Sequence, residues 1–277
     1  MSGRLAAVIG SPIAHSLSPV IHRAAFAAAG VDWSYVAFDV ADGEAPAALG
    51  AMRTLGIAGL SVTMPHKEAV AAAVDRLDPA ARALGSVNTV SWDGDDLVGS
   101  CTDGAGFVAS LAERGVDVAG ARVAVIGAGA AGRSVVDALA RAGAVDVTVL
   151  NRDRGRAERA AALAPVAAVG STADLGRADV VVNATSVGMG ADPGDGRAPM
   201  PCDPAELREG QVVADLVYHP LETGWLRAAS ERGCRTVDGL GMLVHQAALQ
   251  QRTWLGERAV VDVAAMRAAA EAALGVA

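Results

Sequence analysis

The chain has 277 residues, of which 52% are hydrophobic and 19% charged, so it is too apolar for intrinsic disorder and long enough for two domains. Its net charge of −8, with arginines scattered along the chain, argues against nucleic-acid binding and points to small-molecule partners. No apolar run reaches the ~18 residues of a membrane span and no signal peptide opens the chain, so we expect a cytoplasmic protein. A monomer and a homodimer are both compatible with the sequence.

Short apolar runs alternate with alanine-rich helical stretches, a pattern typical of α/β proteins with mostly parallel sheets. In the first hundred residues we predict four strands, near Leu5–Ile9, Tyr35–Val40, Gly59–Thr63 and Val87–Trp92. The helix after the first strand has a marked start, with Ser18 as its predicted cap and Pro19 in its first turn.

A second series of strands begins after Arg122. It comprises Val123–Ile126, Val147–Leu150, Val166–Val169, Val180–Asn183, Val212–Asp215 and Thr236–Asp238. Six strands are the full complement of a Rossmann dinucleotide-binding domain. The chain beyond Asp238 reads as helix, and we expect it to pack back on the first domain.

We therefore predict a substrate-binding and catalytic domain of residues 1–104 plus 240–277 and a Rossmann domain of residues 105–239. Residues 188–204 are rich in glycine, proline and aspartate and are predicted to form a loop. Three cysteines, Cys101, Cys202 and Cys234, form no CxxC pair, and no histidine pair has metal-ligand spacing. We predict neither a disulfide framework nor a metal site.

The segment Gly127–Gly132, GAGAAG, fits the pattern GxGxxG. It follows a predicted strand and opens a predicted helix, so free backbone amides and the helix dipole would face a pyrophosphate. Gly127 suits a tight turn, Gly129 lets the backbone approach the phosphates, and Gly132 allows close contact between helix and strand. The alternative is a purely structural glycine turn.

The second strand of this domain ends at Asn151, where enzymes that use NAD commonly place an acidic residue. Arg152, Arg154 and Arg156 follow and favour a 2′-phosphate, because a guanidinium can hold phosphate with two hydrogen bonds. NADP is the predicted cofactor. Asp153 lies in the same segment and opposes this prediction, and the arginines could also simply be solvated.

Polar residues also cluster at predicted strand ends in the first domain. Ser16 and Ser18 share one turn and could hold a carboxylate, while Thr63 and Lys67 follow the strand Gly59–Thr63. Asn88 and Asp103 are predicted to close later strands. A surface lysine and a helix-capping aspartate are the plain alternative to a shared binding site.

In eight segments, in order, the sequence resembles the shikimate dehydrogenase family. The segments are GSPIAHSLSP, SVTMPHK, GSVNTV, TDG at Thr102–Gly104, GAGAAGR, NR at Asn151, NATSVG and DGLGMLVHQA. The resemblance implies NADP-dependent reduction of 3-dehydroshikimate to shikimate in aromatic amino acid biosynthesis.

The resemblance also implies a set of site residues. Lys67 and Asp103 would be the catalytic pair, and Lys67 could act as the proton acceptor that oxidation of an alcohol requires. The substrate would contact Ser16, Ser18, Thr63, Lys67, Asn88, Asp103, Tyr218 and Gln246. The cofactor would contact Gly127, Ala128, Gly129, Ala130, Ala131, Asn151, Arg152, Leu216, Gly239 and Met242.

The sequence departs from the family pattern at Cys101, Ala130 and Asp153, of which Asp153 bears on the NADP preference. Two alternatives stay open. One is a quinate or mixed quinate/shikimate dehydrogenase, possibly linked to NAD, against which Ser18 speaks because threonine there accompanies quinate use in the family. The other is a non-catalytic dinucleotide sensor, which would not need Lys67 and Asp103.

Overall fold

The computed structural model describes residues 3–192, 198–256 and 258–276 and divides into two compact units. The first unit contains Met1–Thr102 and Val244–Ala277, and the second contains Asp103–Leu243. Each unit is built on a six-stranded sheet with helices, so the predicted α/β class is confirmed. Part of the predicted loop 188–204, residues 193–197, lies outside the described residues.

The first unit begins with ten elements. They are β1 (Arg4–Gly10), α1 (Ser18–Ala28), β2 (Trp33–Asp39), α2 (Ala45–Leu55), β3 (Gly59–Val62), α3 (Lys67–Ala73), β4 (Arg76–Leu77), α4 (Pro79–Leu84), β5 (Thr89–Asp93) and β6 (Asp96–Ser100). The strand order is β2-β1-β3-β5-β6-β4. The pairings are parallel except that β5 runs antiparallel to both β3 and β6.

The second unit holds the next ten helices and strands. They are α5 (Asp103–Glu113), β7 (Arg122–Ile126), α6 (Ala130–Arg141), β8 (Asp146–Leu150), α7 (Arg154–Ala161), β9 (Ala167–Val169), β10 (Val180–Asn183), β11 (Val212–Asp215), α8 (Gly224–Glu231) and β12 (Arg235–Val237). Its sheet is entirely parallel in the order β12-β11-β10-β7-β8-β9, the Rossmann arrangement.

Successive residues of the second sheet's strands supply two different cores, because side chains alternate across a strand. Val123 and Val125 of β7 join the core on one face, whereas Ala124 and Ile126 join the core on the other. A sheet buried on both faces explains why these strands read as continuous apolar runs.

The last two helices are α9 (Leu240–Leu255) and α10 (Val263–Leu274). Helix α10 packs against α1, and Trp254 of α9 enters the apolar cluster formed with Ala6, Val8 and Tyr35. The expectation that the C-terminal helices return to the first domain is therefore confirmed. No helix in the described part of the chain is long and apolar enough to cross a bilayer.

Candidate active site

Thr63, His66 and Lys67 lie just beyond the carboxyl end of β3. A Cβ on Gly10, at the end of β1, would lie 2.4 Å from the Thr63 methyl group, so glycine there makes room for the threonine. His66 is a buried packing residue whose Nε2 lies 2.8 Å from the Val40 carbonyl, which can only accept a hydrogen bond. Lys67 is half-buried and begins α3.

Asn88 lies at this same edge for a reason that the sequence did not reveal. We predicted that Asn88 closes a strand, but it directly precedes β5. Because β5 is antiparallel to β3, the start of β5 adjoins the end of β3, and the Asn88 carbonyl accepts a hydrogen bond from Val62 N–H at 2.8 Å. The prediction for Asp103 was likewise wrong in detail, since Asp103 is the first residue of α5.

The Asn88 side chain is buried and held by residues distant in sequence. Its Oδ1 accepts from Thr102 N–H at 2.9 Å and from the Thr89 hydroxyl at 2.8 Å. Its Nδ2 donates to Thr102 Oγ1 at 2.9 Å and to Gln246 Oε1 at 3.2 Å. The structure thus brings together two predicted substrate residues, Asn88 and Gln246, with Thr102 between them.

The turn before α1 contradicts the predicted cap. Ser18 is the first helical residue and Leu17 occupies the cap position, where no side chain caps the helix. Instead Ser16 Oγ accepts a hydrogen bond from Ser18 N–H at 3.3 Å, which orients the Ser16 hydroxyl. Both serines are half-buried, and neither caps α1 from the N-cap position.

A buried polar cluster supports this sheet edge from inside the first unit. Tyr35 donates to Ser61 at 2.6 Å, Ser61 donates to Gln250 Oε1 at 2.7 Å, and Gln250 donates to the Asn88 carbonyl at 2.9 Å. Burial raises the pKa of Tyr35. His22 stacks on Tyr35 with ring centroids 4.3 Å apart, and burial lowers the pKa of His22 to about 3.

In the second unit, the glycine loop joins β7 to α6 as predicted. Gly127 has φ +113°, and a Cβ on Gly132 would lie 2.1 Å from the Gly127 carbonyl oxygen, so both positions demand glycine on internal grounds. Gly129 is different, because a Cβ there would meet no described atom within 4 Å. No side chain caps α6, which leaves its first amides available to an anion.

The end of β8 lies beside this loop. Asn151 Oδ1 accepts from Ala128 N–H at 3.3 Å, and Asn151 Nδ2 donates to the Asp153 carbonyl at 2.9 Å. Asp153 caps α7 by accepting from Arg156 N–H at 3.0 Å, and Arg154 pairs with Glu158. Arg152 is exposed and makes no hydrogen bond or ion pair with the described residues.

The loop after β11 is held by a buried carboxylate. Asp215 accepts from Asn183 Nδ2 at 2.8 Å, from the Thr223 hydroxyl at 2.9 Å and from Val217 N–H at 3.0 Å. Burial raises the pKa of Asp215 to about 6. Leu216 and Tyr218 on this loop are half-buried, and burial raises the pKa of Tyr218.

Gly239 and Met242 lie near that loop within the same unit. A Cβ on Gly239 would lie 2.4 Å from the Leu216 carbonyl oxygen, so glycine permits the approach of the two segments. Met242 is half-buried on α9 and contacts the second unit's core. Asp103 is buried at the start of α5, next to Gly104, where a Cβ would lie 2.1 Å from the Ser134 carbonyl oxygen.

Three family models cover most of the chain. They are the shikimate dehydrogenase substrate binding domain at residues 8–90, shikimate/quinate 5-dehydrogenase at residues 110–188, and the shikimate 5′-dehydrogenase C-terminal domain at residues 239–271. The chain is 47% identical over 284 residues to a shikimate dehydrogenase (NADP+) of Symbiobacterium thermophilum, a match covering 98% of this chain and 95% of that protein. The chain belongs to the shikimate dehydrogenase family.

Solved structures agree with this family assignment. A shikimate 5-dehydrogenase of Thermus thermophilus, in complex with NADP(H) and shikimate, matches with a TM-score of 0.90 at 36% identity over 98% of this chain and 99% of that one. A 5-ketofructose reductase of Gluconobacter sp. strain CHM43 matches with a TM-score of 0.87 at 34% identity over 99% of both chains. The predicted family is thus confirmed.

Two features of this family member escaped the sequence reasoning. One is Thr102, whose position in a TDG motif gave no sign that it would hold Asn88. The other is that Lys67 is the only lysine in the chain. All the others among the 23 Lys and Arg residues are arginines. Simple counting would have found the second. No group of three metal-ligating side chains occurs among the described residues.

Proposed function

We propose that the protein catalyses the reversible, NADP-dependent reduction of 3-dehydroshikimate to shikimate. The observation that carries this proposal is the 47% identity, over nearly the full chain, to a shikimate dehydrogenase (NADP+). The polar edge of the first sheet and the glycine loop of the second unit supply the types of group that such a reaction needs.

Substrate binding is assigned to the edge of the first unit. Ser16 and Ser18 offer hydroxyl groups to the substrate carboxylate. Thr63, Asn88 and Gln246 offer hydroxyl and amide groups to the ring hydroxyls, and Tyr218 of the second unit would contribute another hydroxyl group. Shape and hydrogen-bonding pattern, rather than charge alone, would then select the ring.

The second unit fits a dinucleotide. A Cβ at Gly129 would contact no described atom of the protein, so packing within the protein does not explain the glycine. A glycine of this kind is expected where the backbone must approach a ligand. The loop Gly127–Ala131 and Asn151 would hold the phosphates and ribose, with Leu216, Gly239 and Met242 beside the nicotinamide. Arg152 would bind the 2′-phosphate. The Asp153 carboxylate caps α7 and pairs with Arg156, and these contacts reduce its repulsion of the phosphate.

The chemistry divides between cofactor and protein. NADP supplies or accepts the hydride when it is bound. Lys67 would give a proton to the ketone oxygen during reduction and accept the hydroxyl proton during oxidation, with Asp103 as the second member of the proposed catalytic pair. Arginine could not replace this lysine, because its guanidinium does not lose a proton in proteins. The chain's single lysine lies at this position, which is consistent with that role.

Two other substrates define the competing functions. Quinate would use the same site, and the 5-ketofructose reductase neighbour indicates that this fold also serves a reductase of that name. Ser18 and the NADP-dependent relatives favour shikimate. The cytoplasmic location and the choice between monomer and homodimer stay predictions.

The test is a steady-state comparison of the purified protein by NADPH absorbance. Shikimate and quinate are each assayed with NADP+ and with NAD+, and shikimate with NADP+ should give the highest kcat/KM of the four pairs. In the reverse direction, NADPH should reduce 3-dehydroshikimate far better than 5-ketofructose. Faster turnover of quinate with NAD+, or of 5-ketofructose with NADPH, would contradict the proposal. NADPH binding without turnover of any of these substrates would revive the sensor alternative.

A further inference from the structure

Thr102 lies between two proposed substrate residues without being one of them. It is buried, it is the last residue of the first unit before Asp103, and it contacts Asn88 through both its main chain and its side chain. It also contacts Gln246, which lies on α9 more than a hundred residues later. One small side chain therefore links the start of β5 to a distant helix.

The main-chain N–H of Thr102 determines which atoms donate and which accept in the hydrogen bonds around it. Thr102 N–H can only donate, so the Asn88 atom 2.9 Å from it must be the carbonyl oxygen Oδ1. The Asn88 amide nitrogen then faces Thr102 Oγ1, to which it donates at 2.9 Å. The single hydroxyl proton of Thr102 goes to the Gln246 main-chain carbonyl at 3.1 Å, which is nearer than Asn88 Oδ1 at 3.3 Å.

The same constraint passes on to the Gln246 side chain. Asn88 Nδ2 is a donor, so the Gln246 atom 3.2 Å from it must be Oε1. With Oε1 directed at Asn88, the Gln246 amide is held in one of its two flipped orientations. Its Nε2, which can only donate, is therefore directed away from Asn88.

We propose that Thr102 is a positioning residue for substrate recognition, which fixes the amide orientations of Asn88 and Gln246 and thereby makes Gln246 a hydrogen-bond donor to a ring hydroxyl. Thr102 itself does not touch the substrate. This inference rests on the proposed function, because it assumes that Asn88 and Gln246 bind the ring.

The decisive variant is Thr102→Val, which keeps the shape and removes the hydroxyl. Asn88 Nδ2 and the Gln246 main-chain carbonyl each lose a partner, while the Thr102 N–H still donates to Asn88 Oδ1, so both residues are held less firmly in the orientation that binds substrate. We expect the shikimate KM to rise about 10-fold, the scale of one or two lost buried hydrogen bonds, with a smaller change in kcat. The KM for NADP+ should stay within about 2-fold of the wild-type value, since Thr102 lies in the first unit.

Thr102→Ser is the matched control, because it restores the hydroxyl without the methyl group. It should recover a shikimate KM within about 2-fold of wild type. Equal impairment of Thr102→Ser and Thr102→Val would overturn the inference, as would a wild-type KM in Thr102→Val. A rise in the KM values of both substrates would show a merely structural role.

A double variant separates positioning from general damage. Adding Thr102→Val to Gln246→Ala should raise the shikimate KM less than Thr102→Val does in the wild-type background, because the residue to be oriented is gone. If Thr102→Val raises the shikimate KM by the same factor in both backgrounds, the inference is contradicted. Should Thr102→Val not fold, Thr102→Ala and Thr102→Ser give the same hydroxyl comparison. A wild-type protein inactive on shikimate would contradict the proposed function itself, whereas an active wild type with an unaffected Thr102→Val would contradict only this inference.

Discussion

His22 should make the stability of the protein fall as the pH is lowered from neutral. Its Nε2 lies 3.2 Å from Gln250 Oε1, an acceptor that Ser61 also donates to, so Nε2 must carry a proton. Its Nδ1 lies 3.2 Å from Gln251 Nε2, which also donates to the His22 carbonyl, so Nδ1 must be an acceptor. The hydrogen bond that Nδ1 accepts requires the neutral imidazole, and together the two hydrogen bonds fix the tautomer with the proton on Nε2.

The size of the effect follows from proton linkage. Burial lowers the pKa of His22 from 6.5 to about 3, so the unfolded chain binds this proton first and stability is lost as the pH falls below 6.5. The loss is roughly 1.4 kcal/mol per pH unit in that window. Between about pH 7.5 and about pH 5 it amounts to about 2 kcal/mol.

The assay is urea unfolding at a series of pH values for the wild type and for His22→Gln. Tryptophan fluorescence suits it, because three of the four tryptophans, Trp33, Trp92 and Trp254, lie in the first unit with His22. His22→Gln should be less stable at neutral pH, yet its unfolding free energy should fall by about 2 kcal/mol less between those two pH values. Parallel pH dependences in the two proteins would refute the reasoning.

Four further variants, all in the second unit, test other parts of the account. Arg152→Ala should raise the KM for NADP+ about 10-fold or more and leave the KM for NAD+ within about 2-fold, measured by steady-state kinetics, whereas an equal change for both would remove Arg152 from the 2′-phosphate. Gly132→Ala should destabilise the unit by about 1–3 kcal/mol in urea unfolding, because its Cβ would meet the Gly127 carbonyl at 2.1 Å. Gly129→Ala, with open space around its Cβ, should keep that stability and weaken NADPH binding in a titration, and the reverse pattern would contradict the loop's assignment. Burial raises the pKa of Asp215 to about 6, so the wild type should lose about 2 kcal/mol of unfolding free energy as the pH rises from about 4 to about 7. Asp215→Asn should not show this loss in the same unfolding assay, and identical pH slopes in the two proteins would disprove the prediction.

The second unit was predictable because its signals are local. Continuous valine runs indicate parallel strands buried on both faces, and the sequence GAGAAG between such a run and a helical stretch identifies the loop. The predicted strand Val212–Asp215 has the bounds of β11, and Val180–Asn183 those of β10. In the other four strands of this unit the predicted ends differ from the observed ends by at most one residue.

The first unit was harder because its sheet is mixed. We missed β6 and β4 altogether, although Gly94-Asp95 between β5 and β6 is a two-residue hairpin signal in which Gly94 has φ +62°. Strand β4 has two residues and exists only through its pairing with β6, which no local pattern encodes. Missing the hairpin hid the antiparallel direction of β5, and with it the reason why Asn88 lies at the substrate edge.

Side-chain partners across long sequence separations were also out of reach. The contacts of Thr102 and Gln250 with Asn88 join segments up to 162 residues apart, and a sequence pattern carries no information on such pairs. The capping error at Ser18 has a smaller cause. Ser16 and Ser18 are equally good cap candidates by residue type, but the helix begins at Ser18, which places Leu17 between them at the cap position.

Replacing the only lysine by arginine tests the account most directly. Lys67→Arg keeps the positive charge and much of the length, but its side chain cannot exchange a proton with the reacting oxygen. We predict that kcat for shikimate oxidation falls about 100-fold or more in both Lys67→Arg and Lys67→Ala, while shikimate binding changes far less. Near wild-type turnover in Lys67→Arg would contradict the claim that this amine handles the proton.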